Sequence, residues 1–256
     1  MNESFGDLHH GVRPLVLPNA WDVPSALLLL AAGFPAVGTT SFGVAASAGR
    51  PDARRSTAAA SLALARDLSR LPCHISVDIE DGYAESPDEV ADYAAALPVA
   101  GVNIEDSTAE RLVDPAAHAE KVAAVKERRP DLFVNARVDT FWLGQDAGTG
   151  ATLRRALLYV EAGADGVFVP GTSDPDVLRE LAAQLPVPLN VLVTPALGLT
   201  ALTGLGVRRV STGSLPYRAA LHTAVETALA ARDEGPLPAA VAYPDLQERL
   251  RRHGRT

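Results

Sequence analysis

The chain has 256 residues, of which 47% are hydrophobic, 21% charged and 5% aromatic; that is globular material with enough apolar side chain for one substantial core. A formal charge of −8 argues against the basic footprint that nucleic-acid or anionic-membrane partners require. The single cysteine, Cys73, rules out an intrachain disulfide or a cysteine-cluster metal site. The longest apolar run, "ALLLLAAGF" (26–34), is too short to span a bilayer, so the expectation is a cytoplasmic protein.

Short β-rich runs alternate with longer Ala/Leu-rich, helix-like runs. "LVLPNAW" (15–21) predicts a first strand, and "VPSALLLLAAG" (23–33) a helix that Gly33 closes. "AVGTT" (36–40) predicts a second strand. It leads into "GTTSFGVAASAGRPD" (38–52), a loop of small and hydroxyl residues whose backbone N–H groups can cradle an oxyanion. The helix "TAAASLALARDLSR" (57–70) precedes a third strand, "HISVDIE" (74–80). "SPDEVADYAAAL" (86–97) opens on Ser86 before a proline. The strand "GVNIED" (101–106) and the helix "PAAHAEKVAAVKERR" (115–129) follow, then "LFVNARVD" (132–139) and "ATLRRALLYVEAG" (151–163). "GVFVPG" (166–171), the Asp174-capped helix "DPDVLRELAAQL" (174–185), "PLNVLV" (188–193) and "RVSTG" (209–213) complete the alternation. Eight βα units in this length predict an α/β fold, a single (β/α)8 TIM barrel over 1–256; a doubly wound open sheet is the competitor. The tail 233–256 breaks at prolines and resumes as a charged helix. It reads as an appendage that docks on a partner subunit.

Alternate residues of a barrel strand face the lumen. In the third strand Ile75, Val77 and Ile79 share one phase, while His74, Ser76, Asp78 and Glu80 share the other. The fourth strand sends Asn103 and Glu105 inward, the fifth Asn135, Arg137 and Asp139, and the seventh Asn190. Asp78, Glu80 and Glu105 thus bring three negative charges inward against one from Arg137, at the strand ends where barrel active sites are built. Like charges that close raise one another's pKa unless a divalent cation intervenes, and hard carboxylate oxygens select Mg²⁺ or Mn²⁺. Asp52 is one more acid available above the barrel mouth. Asp81 and Asp106, single acids at strand ends, read as helix caps. His74 and Cys73 lie at the opposite end and read as packing residues.

The fragments "PNAWDVPSA", "GTTSFGVAASAGRPD", "VDIEDGY", "GVNIED", "NARVD", "GADGVFVPG" and "VSTGSLPYRAAL" occur in order between residues 14 and 230. Together they resemble the isocitrate lyase/phosphoenolpyruvate mutase superfamily. The resemblance implies a Mg²⁺-dependent barrel acting on 2-oxo acids through an enolate, in homodimers or homotetramers whose subunits exchange the last helix. It makes Asp78 the direct Mg²⁺ ligand, with Glu80, Glu105 and Asp52 holding its waters. Arg137, Asp52 and Glu105 become the candidate catalytic groups. Thr40, Ser41 and Phe42 would grip the substrate carboxylate, Arg137 its second anionic group, and Asn190 would contact it. Two departures stand out: the stretch "DSTAERLVDPAAHAEKV" (106–122) carries no gate-loop cysteine, and Pro170 stands where relatives carry a glutamate or histidine. The expectation is therefore a carbon–carbon lyase or decarboxylase for a small 2-oxo or 2-hydroxy dicarboxylic acid of the pyruvate, oxaloacetate or 2-oxoglutarate type. The alternatives are phosphorus–carbon chemistry on phosphonopyruvate, C1 transfer of the ketopantoate hydroxymethyltransferase kind, and non-catalytic 2-oxo acid binding.

Overall fold

A computed structural model describes residues 3–255. The chain runs through β1 (Leu15–Leu17), β2 (Asn19–Ala20), α1 (Val23–Ala31), β3 (Ala36–Thr39), α2 (Ser41–Ser47), α3 (Ala58–Leu68), β4 (His74–Asp78) and α4 (Pro87–Ala95). It continues through β5 (Gly101–Glu105), β6 (Ser107–Thr108), β7 (Arg111–Leu112), α5 (Pro115–Arg128), β8 (Phe133–Arg137), α6 (Thr140–Leu143), α7 (Thr149–Glu161) and β9 (Gly166–Phe168). The last elements are α8 (Pro175–Gln184), β10 (Leu189–Leu192), α9 (Leu199–Gly204), β11 (Arg209–Ser211), α10 (Leu215–Arg232) and α11 (Tyr243–His253).

The main sheet is parallel, in the order β1-β11-β10-β9-β8-β5-β4-β3-β2. Its two end segments, β1 and β2, are halves of one strand interrupted at Pro18, so the order runs full circle into the expected barrel. Proline has no N–H to give a ladder. The Pro18 carbonyl still accepts from Gly38 N at 2.8 Å, so the break costs little.

The period-2 pattern explains the layers. Val37, Ile75, Val77, Val102, Ile104, Val134, Ala136, Val167 and Val191 are all but completely buried, in one apolar cluster with Ala26, Leu68, Val90, Val122, Tyr159, Leu178 and Leu202 of the surrounding helices. The opposite phase fills the lumen. At its floor a second cluster forms around Phe5, Leu15, Leu17, Ala36 and Phe133. His9 stacks on Phe133 at 4.4 Å and donates Nδ1–H to the Phe5 carbonyl. This plug needs Gly101, because a Cβ there would meet Phe5 Cε1 at 2.7 Å.

Several local expectations change. The loop predicted over 38–52 contains α2, with Thr40 as its N-cap accepting from Gly43 N. The stretch 106–122 contains the β6–β7 hairpin, whose turn residues Ala109 and Glu110 have φ of 49° and 62°. Asp81 and Asp106 are not helix caps. Asp81 accepts from Arg55, Thr108 and the Tyr83 N–H, and Asp106 from Arg155, Tyr159 and the Asp139 N–H. A cap needs a helix starting at the next residue, whereas each of these acids is followed by a turn or a strand. Ser86 and Asp174 do precede helices, and Asp174 accepts from the Asp176 N–H. In the tail, α11 lies against α1 of the same chain and buries no side chain completely. Among the described residues, no helix is long and apolar enough to cross a membrane.

Candidate active site

The C-terminal mouth of the barrel opens into a small, partly open cavity of about 100 Å³. Six side chains of the sequence-based set line it: Thr40, Ser41, Phe42, Asp52, Asp78 and Arg137. Asp78 reaches the rim because it ends β4 in the inward phase. Its Oδ2 accepts from Ser41 Oγ at 3.1 Å and Ser41 N at 3.4 Å, and its Oδ1 from Glu80 N at 3.2 Å. Asp52 enters from the segment between α2 and α3. Its Oδ1 is buried without a hydrogen-bond partner. Burial first, and the charge of Asp78 second, push its carboxyl pKa up.

Glu80, Glu105 and Asn190 do not line the cavity. Glu80 lies beyond the last residue of β4, with a left-handed φ of 50°. Its carboxylate accepts from Thr57 Oγ1 and from Arg55 N at 2.8 Å. Glu105 forms an ion pair with Arg137 at 2.9 Å. Asn190 lies deeper, accepting from Ser211 Oγ at 3.0 Å, and its Nδ2 is buried without a partner. Burial raises the pKa of Glu80 and, more strongly, that of Glu105; the charges of Asp78 and Asp52 add to both shifts. The charge of Asp78 thus reaches three other acids around this mouth.

Arg137 faces a crowded counter-charge. Besides Glu105 it pairs with Asp139 through Nε at 2.6 Å, and its guanidinium lies 5.7 Å from the ring centres of both Trp142 and Phe168. Burial disfavours its charge, but Asp139 and Glu105 outweigh that and hold its pKa above the usual arginine value. With Arg137 already neutralised, Asp52 and Asp78 leave the cavity net negative.

These donors fit a hard divalent cation: an orphaned carboxylate oxygen on Asp52, an adjacent carboxylate on Asp78, and two further acids destabilised as anions. Among the described residues, no three His, Cys, Asp or Glu side chains converge tightly enough to enclose an ion unaided. Asp78, Glu80 and Glu105, expected together as the metal set, are not brought into one such group.

Residues outside the sequence-based set complete the wall, among them Asn19, Asn103, Trp142, Phe168, Pro170 and Ser211. Asn103 was legible as an inward-phase position of its strand; Phe168 was missed, although the same alternation along "GVFVPG" sets it opposite Val167 and Val169. Asn19 was not, since its role is to accept at Oδ1 from Thr212 and Gly213 across the strand-one break. Trp142 sits on the one-turn helix α6 and carries no periodic signal. Beside the mouth, the β6–β7 hairpin is pinned. Thr108 donates to Asp81, Gln145 donates to the Glu110 carbonyl at 2.9 Å, and Leu112 N donates to Gln145 at 3.1 Å.

A profile of the phosphoenolpyruvate phosphomutase family matches residues 5–232. An uncharacterized protein of Mycobacterium tuberculosis is 58% identical over 247 residues, covering 96% of each chain. The 2-methylisocitrate lyase of Bacillus subtilis is 32% identical over 192 residues, which is 70% of this chain and 63% of that one. The crystal structure of a phosphonopyruvate hydrolase complexed with oxalate and Mg²⁺ superposes with a TM-score of 0.83 at 26% identity, over 97% of this chain and 95% of the other. The chain belongs to the phosphoenolpyruvate phosphomutase family, within the isocitrate lyase/phosphoenolpyruvate mutase superfamily, and at that level is an enzyme of lyase type.

Proposed function

We propose that the protein is a Mg²⁺-dependent carbon–carbon lyase or decarboxylase acting on a small 2-oxo or 2-hydroxy dicarboxylic acid through an enolate, with Mn²⁺ as the substitute ion. One observation carries this reading: the unpartnered Asp52 oxygen stands with Asp78 in a cavity whose one lining cation among the described residues, Arg137, is already paired. A dianionic substrate meets net negative charge there, so its binding requires a cation brought in with it. Asp78 would hold that cation directly, and Asp52, which also lines the cavity, would hold its water shell; Glu80 and Glu105, turned to partners of their own, would act on it only through their charge. Mg²⁺, when bound, supplies the positive charge that stabilises an oxyanion developing on the substrate.

The remaining work falls to the chain's own groups. Thr40 caps α2 and Ser41 and Phe42 are its first residues; together they would seat the substrate carboxylate. Ser41 is fixed for this by its hydrogen bonds to Asp78. Arg137 uses Nε and Nη1 on Asp139 and Glu105, which leaves Nη2 to meet a distal anionic group. Trp142 and Phe168 flank that guanidinium and limit water around it. Incubating oxaloacetate and related 2-oxo and 2-hydroxy diacids with the protein and Mg²⁺, and measuring pyruvate formation, tests the reading. Turnover no faster than the metal-only rate for every acid overturns it.

The whole-length likeness to a phosphonopyruvate hydrolase favours a second reading, cleavage of a phosphorus–carbon bond in the same cavity. Phosphorus NMR of a phosphonopyruvate incubation separates the two, because only the second reading releases inorganic phosphate. We further read the enzyme as a cytoplasmic homodimer or homotetramer. Leu221, Val225 and Leu229, exposed at four-residue spacing on α10, support an assembly that covers them. Sedimentation of the purified chain as a monomer at micromolar concentration would remove that element.

A further inference from the structure

Below the carboxylates the lumen holds a polar layer that the proposed chemistry does not use. Its centre is Asn103 on β5, whose register neighbours are Asp78 on β4 and Asn135 on β8. The Asn103 Oδ1 accepts from Asn135 Nδ2 at 2.9 Å and from Arg209 Nη2 at 3.1 Å. Arg209 stands on β11, across the lumen, 106 positions away in sequence.

This arrangement settles which way the amide points. A guanidinium has donors only, so the atom facing Arg209 must be the amide oxygen, however the two ends of an asparagine are otherwise assigned. The Nδ2 end is thereby directed away from Arg209. Asn103 lines the cavity, and its Nδ2 finds no acceptor among the described residues. In a cavity whose lining includes the carboxylates of Asp52 and Asp78, it presents two N–H donors.

Arg209 is costly to keep there. It is 1% exposed, and its Nε and Nη1 are buried without hydrogen-bond partners. A buried charge so poorly paired is usually less stable than an apolar side chain of similar volume. Burial pulls its pKa down to about 9, so it remains a cation at neutral pH. Among the described residues its side-chain hydrogen bond goes to the oxygen of Asn103, and the charge of Asp78 partly offsets the burial.

We infer that Asn103 is a substrate-binding residue, donating from Nδ2 to an oxygen of the 2-oxo acid at the cavity floor, and that Arg209 is its positioning residue, holding the amide by its carbonyl end. The inference rests on the 2-oxo acid reading of the cavity and adds to it the donor that discriminates an oxygen-bearing group at that depth.

Calorimetry with oxalate in the presence of Mg²⁺, alongside thermal midpoints, tests it on the full chain. Asn103→Asp keeps the acceptor that Arg209 and Asn135 need but replaces the cavity-facing donor, so it should fold with an unreduced midpoint and bind oxalate at least about tenfold more weakly. Asn103→Ala should also lose about tenfold. Arg209→Met should match or exceed the wild-type midpoint while losing a similar factor. In the Asn103→Ala background, Arg209→Met should then cause no further loss, because Arg209 acts through the amide. Asn103→Ala binding oxalate as the wild type does, or Arg209→Met causing the same loss with and without Asn103, overturns the inference. Failure of the wild type itself to bind oxalate with Mg²⁺ instead takes down the 2-oxo acid reading, and this inference with it.

Discussion

The eight residues "SVDIEDGY" (76–83) carry two kinds of carboxylate three positions apart. Asp78 sits in the cavity, with hydrogen bonds from Ser41 and the Glu80 N–H but no cationic side chain in contact. Asp81 is enclosed by the protein: Arg55 makes a bidentate pair with it, Thr108 donates to it, and Lys121 Nζ lies 3.9 Å away. Burial pushes the Asp81 pKa up, but Arg55, Thr108 and Lys121 together carry it below the usual carboxylate range. Around the cavity the balance is reversed, and Asp52, Glu80 and Glu105 are all raised. A carboxylate that the fold neutralises is part of the scaffold. One that the fold leaves short of positive charge marks a place for something brought in from outside. Asp106, completely buried against Arg155 and Tyr159, belongs with Asp81.

Four measurements break or sharpen this contrast. The largest effect is expected from the enclosed class. Asp106→Ala strands Arg155 and removes the acceptor of Tyr159 and of the Asp139 N–H. The loss should be about 3–5 kcal/mol, a fall in thermal midpoint on the order of 10 °C, whether or not Mg²⁺ is added. A midpoint within a degree or two of wild type would place Asp106 outside the scaffold. Next comes the cavity class. Asp78→Asn should keep the midpoint in metal-free buffer within a few degrees, since the amide oxygen still accepts from Ser41. It should lower Mg²⁺-dependent binding of oxalate on the order of a hundredfold. A full ligand-dependent rise in midpoint for this variant would make Asp78 structural.

The third measurement titrates the enclosed network. His118 is completely buried, packs on Tyr159 at 4.5 Å, and has both ring nitrogens unpartnered. Burial, then the charges of Lys121 and Arg155, pull its pKa down to about 3, with Asp81 opposing weakly. His9 in the floor plug is lowered to about 4, chiefly by burial. An unfolded histidine takes its proton near pH 6.5, which the folded chain refuses until far lower. Stability is therefore fully present above about pH 6.5 and declines as pH falls towards 4 and 3, each histidine adding a slope of up to ~1.4 kcal/mol per pH unit. Thermal midpoints between pH 7 and 4.5 should fall less steeply for His118→Leu than for wild type; equal slopes would contradict the assignment. The smallest effect is the control. Cys73 is half-buried at the opposite end of the barrel, before β4, with its thiol pKa raised by burial. Cys73→Ala should change the midpoint by about 1 kcal/mol or less and leave ligand binding unchanged; a loss of binding would bring a thiol into the site.

The sequence alone determined the barrel, its eight-strand order and the identity of the lumen-facing set. Alternation in a regular strand is local: once Ile75, Val77 and Ile79 must pack under the helices, Ser76 and Asp78 have only the lumen left. The same rule placed Asn103, Glu105, Asn135 and Arg137, and the quoted fragments carried the family. Only the tertiary structure decided which of those side chains remain available to a ligand. Glu80 shares the phase of Asp78, but the strand ends before it, and a φ of 50° turns its carboxylate to Thr57 and Arg55. Arg137 was legible as the inward arginine, whereas its double pairing with Glu105 and Asp139 depends on how β5 and β8 register. Asp81 and Asp106 look like caps until the segment before α3, with α5 and α7, brings Arg55, Lys121 and Arg155 alongside. Arg209 had no visible partner in the sequence, because the asparagine it holds lies across a lumen that exists only once the sheet closes on itself. Periodicity reports the face a residue takes within its own strand; charge pairing depends on distances set by closure, which no local pattern encodes.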